Sequence, residues 1–68
     1  MRNPDETELE TTQRHIREGA EQIARQREVL SRLRPRSEVA NIARSVLAQL
    51  EESQKLHVAH LERLLGHE

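Results

Sequence analysis

The sequence predicts an all-α fold: a two-helix antiparallel hairpin, coiled-coil-like, expected to dimerise into a four-helix bundle. Three observations predict it. Large aliphatic residues recur every seven positions at Leu9, Ile16, Ile23 and Leu30, and a strict seven-residue repeat keeps facing one partner only when helices supercoil left-handedly. One break, Arg34-Pro35-Arg36-Ser37, divides the 68 residues into halves of nearly equal length, and so short a connection makes the helices antiparallel neighbours. The second half carries an apolar face wide enough to touch two neighbours rather than one.

The first helix is expected over residues 4–33. Asn3 reads as its cap, Pro4 as its first helical residue and Glu6 as the side chain that reaches back in a capping box. The positions beside the aliphatic column are weak: Thr12, Gly19 and Gln26 on one side, Gln13, Ala20 and Arg27 on the other, with only Leu33 a good filler. Gly19 costs a helix about 1 kcal/mol relative to alanine. Together Gly19 and Ala20 would let another helix approach closely; otherwise Gly19 is a tolerated weak point. Glu10 to Arg14, Glu21 to Arg25 and Glu28 to Arg32 are acid-before-base pairs at four-residue spacing, which reads as a solvated outer face.

Pro35 lacks a backbone donor and pushes Arg34 away from helical dihedrals, which sets the turn at 34–37. Ser37 then caps a second helix over 38–65, with Glu38 placed against its positive end. Val39, Ile42, Ala43, Val46, Leu47, Leu50, Leu61, Leu64 and Leu65 form one broad face, and Gly66 suits the residue after the helix. Closing the hairpin is expected to set Leu33 on Val39, Leu30 on Ile42 and Gln26 on Val46. The distal layers are more polar: Gly19 with Ser53, His15 and Ile16 with Leu56 and His57, Thr12 with His60. One seam cannot hide this much aliphatic surface. The expected interface, within and between copies, is therefore Leu9, Ile16, Ile23 and Leu30 with Val39, Ile42, Val46, Leu50, Leu61 and Leu64.

Composition removes several classes of function. There is no Phe, Tyr or Trp, so the stacking platforms of single-strand readers are missing. There is no Cys, which excludes disulfides and thiolate metal sites and is compatible with a reducing, cytoplasmic setting. A net charge of -1 argues against a dedicated nucleic-acid binder. The start Met1-Arg2-Asn3-Pro4-Asp5-Glu6 lacks the apolar run of a signal peptide, and no window is apolar enough to span a membrane. No nucleophile sits at a defined spacing from a base and no Gly-rich phosphate loop occurs, so no enzyme is expected.

Two clusters could carry a site. His57 and His60 lie one turn apart on helix two, and His15 is expected to face them from helix one. Three imidazoles approach the ligand set of zinc or another borderline metal, with Glu18 as a carboxylate or an orienting group. The alternatives are a core-edge His57 hydrogen-bonded to a neighbour such as Thr12, or a pH-responsive bundle in which charging His57 loosens the interface. The second cluster is the basic tip at Arg32, Arg34 and Arg36, with Arg25 and Arg27 nearby. Arginines suit phosphates or carboxylates, so the tip could touch nucleic acid or an acidic protein. In an antiparallel dimer it could instead pair with the acidic end formed by Asp5, Glu6, Glu8 and Glu10.

The stretches Arg14-His15, Glu18-Gly19, Ile23-Ala24-Arg25-Gln26-Arg27-Glu28, Leu47 to Leu50, Leu56-His57 and Leu64-Leu65 resemble a group of short uncharacterised bacterial proteins of helical-hairpin length. The likeness covers most of the chain. It implies a small cytoplasmic helical protein and supplies no site, cofactor or activity.

Overall fold

In a computed structural model that describes residues 6–66, the chain is two α-helices packed against each other. Helix α1 spans Glu8–Ser31 and α2 spans Glu38–Leu64. The hairpin measures 43 × 27 × 15 Å, a single layer of helix.

Helix α1 starts later than position 4, because the Thr7-Glu8-Leu9-Glu10 stretch forms the capping box. The Thr7 hydroxyl accepts from the Glu10 amide at 3.1 Å, and the Thr7 amide donates to the Glu10 carboxylate at 3.0 Å. Two of the free donors at the helix start are satisfied reciprocally. Asn3 and Pro4 lie outside the described residues. Glu6, whose expected cap Asn3 is among those, accepts from Arg14 at 3.1 Å and from the Thr11 hydroxyl at 3.0 Å. Glu10 is occupied by the cap, and Arg14 bridges Glu6 and Glu18 instead. Glu28 and Arg32 do pair, at 2.7 Å.

The turn is longer than four residues. Helix α1 ends at Ser31 rather than 33, and the Arg32 and Leu33 amides reach back only three residues, to Val29 and Leu30, at 3.1 Å each. The helix tightens in this way because Pro35 bars Arg34 from helical dihedrals and the disruption propagates back one turn. Arg44 holds the turn from α2, donating to the Pro35 carbonyl at 2.9 Å. The Ser37 hydroxyl accepts from the Ala40 amide at 3.0 Å and opens α2 at Glu38. At the far end Leu65 is already the cap, and Gly66 adopts φ 79°. That left-handed conformation is costly for any residue with a Cβ.

The seam takes Leu9, Thr12, Ile16, Gly19, Ile23, Gln26 and Leu30 of α1; Gln13, Ala20 and Arg27 stay exposed. From α2 it takes Ala40, Ala43, Leu47, Leu50, Gln54, His57 and Leu61. The layers near the turn differ from those expected. Val39 and Ile42 are both 60% exposed and Val46 is 39% exposed, while Ala40 is 0% and Ala43 6% exposed in their place. Gln26, expected on Val46, donates to the Ala43 carbonyl at 3.0 Å. Alanines let the backbones approach closely enough for that bond, and the approach turns the larger residues outward. Thr12 is buried and satisfies its hydroxyl on the Glu8 carbonyl at 2.9 Å rather than on His57. Among the described residues no large side chain is fully buried.

Candidate functional site

The apolar face of α2 is two columns, offset by one residue. The inner column fills the seam. The outer column, Val39, Ile42, Val46 and Leu56, runs along one side of the hairpin, and Leu56 is 63% exposed. Val29 of α1, 49% exposed, falls on the same side by its seven-residue spacing from Glu8, His15 and Gln22. That side is fixed by contacts across the seam: Leu56 shares a groove with Glu8, Thr11 and His15, whereas the Arg27–Glu51 pair at 2.8 Å closes the other side. Of the expected interface residues, Leu9, Ile16, Ile23, Leu30, Leu50 and Leu61 are half-buried in the hairpin's own seam. Val39, Ile42, Val46 and Leu64 remain exposed.

The polar layer sits halfway to the open end. Gln54 crosses the seam and donates to the Ile16 carbonyl at 2.8 Å, while its own Oε1 is buried without a partner. It occupies the space left by Gly19: a Cβ built on Gly19 would collide with Gln54 Oε1 and lie 3.1 Å from its Cδ. One turn on, the rings of His15 and His57 face each other with centroids 5.2 Å apart, and His57 Nδ1 is buried without a hydrogen-bond partner. A cleft of about 210 Å³ opens between this layer and solvent. His60 is drawn away, to Glu8 at 2.9 Å, and Glu18 binds Arg14 at 3.2 Å. Only His15 and His57 of the four candidate ligands are thus brought face to face. Among the described residues no group of three or more His, Asp or Glu side chains is gathered closely enough to hold a metal ion.

Charge is divided along the long axis. Residues 25–44 around the turn hold six arginines against Glu28 and Glu38, while the strands of helix leading to the open end carry more carboxylates than cations. Arg32, Arg34 and Arg36 are all exposed, and of these Arg32 pairs with Glu28. At the open end the Glu6 carboxyl is held below its ordinary value, first by the hydrogen bond from Arg14 and then by the Thr11 hydroxyl and the Arg14 charge. Glu10 is likewise lowered by the Thr7 amide and hydroxyl, and Arg14 is raised by Glu6.

Sequence reasoning passed over Gln54, Ala40 and the Thr7 cap. Each had a signal. Thr7 and Glu10 stand at capping-box spacing, and Ala40, Leu47, Gln54 and Leu61 recur every seven residues. Among the described residues no helix is long and apolar enough to cross a membrane. Comparison with protein-family models, with curated proteins and with solved structures finds no match to this chain.

Proposed function

We propose that this protein is a non-catalytic interaction module that works as a homodimer, with the outer column of α2 as its docking surface in a four-helix bundle. The observation that carries the reading is the alignment of Val39, Ile42, Val46 and Leu56 on one exposed side of a helix whose other apolar column is already used. A row of this kind, flanked by polar residues, is the usual mark of an association surface. That Ala40 and Ala43 are the only buried apolar residues of the seam among the described residues supports the same reading, because a second copy would add the burial that one hairpin lacks. A small cytoplasmic protein of bacterial type is the setting that the resemblance to hairpin-length proteins suggests.

The test is one charge in the row. Ile42→Glu places a carboxylate in the proposed contact without touching the seam. Light scattering after size exclusion is expected to give about twice the chain mass for the native protein and the single-chain mass for the variant, with helical circular dichroism lost only in part. Equal masses for the two proteins would remove the proposal.

A further inference from the structure

We infer that two copies pair in reverse, each basic tip lying over the other's acidic open end, with the outer column of α2 packed against itself. This rests on the reading that the column receives a second copy. A two-fold pair of hairpins stacked on these faces can be built in two ways, because an isologous contact must use the same patch twice. With the axis along the helices, tip lies over tip and α1 of one copy covers α2 of the other. With the axis across the helices, tip lies over open end and each helix covers its own counterpart in reverse.

The side chains on this face favour the second. On α1 the face carries Glu8 and Glu18 toward the open end, then Arg25 and Arg32 toward the tip. Tip over tip would bring Arg25 and Arg32, the latter paired with Glu28, down onto Ile42 and Val39, and guanidinium groups would be desolvated against methyl groups. It would also gather the arginine-rich turns of both copies at one end. Reversal places Val39 on Leu56 and acid on base. Glu18 then stands level with Arg25 of the other copy, and Glu8 level with its turn arginines, Arg34 and Arg36.

The column itself sets the register. Leu56 stands alone, separated from Val39, Ile42 and Val46 by Gln49 and Ser53. The midpoint of the column falls between Val46 and Gln49. Antiparallel pairing about that midpoint sets Leu56 of each copy on Val39 of the other and seats Ile42 opposite the small Ser53. The otherwise isolated leucine gains an apolar partner, and the two polar positions of the row, Gln49 and Ser53, fall opposite Val46 and Ile42 nearer the axis.

The chain lacks cysteine, so a pair of single-cysteine variants reads the register directly. Val39→Cys and Leu56→Cys replace exposed residues, and circular dichroism checks that both keep the helical signal. After mass measurement on the native protein, the variants are mixed in equal amounts in a glutathione redox buffer. The mixed V39C–L56C disulfide is expected in about tenfold excess over either self-linked product, because like positions lie well beyond the roughly 7 Å Cα separation that a disulfide tolerates. Raising salt before oxidation is expected to lower the yield, since the pairs between the poles are exposed. Self-linked V39C in excess, or a dimer with no mixed link, overturns the reversed register and leaves the interaction module standing. A native protein that is a monomer at every concentration overturns both.

Discussion

Gly19 and Gln54 are the sharpest point at which this structure commits to an energy. Alanine at 19 relieves the helix of a glycine and is worth about 1 kcal/mol in an interior position. Here the added methyl would occupy the place of the Gln54 amide. Gln54 has a flexible side chain and can swing out, but doing so forfeits its 2.8 Å bond to the Ile16 carbonyl, a neutral hydrogen bond worth about 1 kcal/mol net. The two effects nearly cancel, so Gly19→Ala alone is expected to leave stability within about 0.5 kcal/mol of the native chain. Gln54→Ala removes the obstacle together with the bond and should cost about 1 kcal/mol. Adding Gly19→Ala to that background should recover about 1 kcal/mol. The predicted coupling is therefore about 1 kcal/mol, measured as a double-mutant cycle by thermal melts at one fixed protein concentration. For a domain of this size it corresponds to roughly 4–8 °C in Tm. An equal gain from Gly19→Ala in both backgrounds would refute the packing of Gln54 over Gly19.

Further outcomes follow from the ends and the middle of the seam. His57→Leu deletes a buried nitrogen without a partner and puts a leucine into a seam position, so chemical denaturation should show a gain of about 1 kcal/mol; a loss of that size would mean that the imidazole has a partner in solution. Thr7→Ala removes the hydroxyl that receives the Glu10 amide and should cost about 1 kcal/mol, read as a lower melting temperature. Glu6 and Glu10 both titrate below their ordinary value near 4.5 in the folded chain. Their contribution is therefore fully present above that value and is lost as pH falls through the depressed folded values. Helical circular dichroism at the start of α1 should weaken on acidification below about pH 4.5, and an Arg14→Gln variant, which lacks the partner of Glu6, should lose less over the same range. An identical pH profile for native and variant would count against the Glu6–Arg14 bond.

The hairpin was legible because its punctuation is local. Pro35 and Ser37 each act on their own neighbours, and α2 opens at Glu38, directly behind Ser37. The start of α1 differs for a related reason: two capping arrangements lie four residues apart, and Thr7 with Glu10 offers the reciprocal pair of bonds. The breadth of the apolar face of α2 was also visible, but its division was not. Two seven-residue columns offset by one position look like one wide stripe until the partner helix chooses between them. That choice lies in small residues: Ala40 and Ala43 admit the α1 backbone and Gln26, whereas Val39 and Ile42 do not. Among the histidines, spacing could place His57 on the seam. It could not foresee that Glu8 would hold His60, because that bond depends on which side chains share an edge across two helices; the Arg14–Glu18 pair, by contrast, stands at four-residue spacing within α1.

The central claim is that one hairpin leaves apolar surface that a second copy covers, and mass action tests this most directly. If folding and pairing are linked, the melting temperature of the native chain rises steadily as its concentration is raised from micromolar to millimolar, and Ile42→Glu flattens that dependence. A single cooperative transition at the same temperature across the whole range would contradict the account.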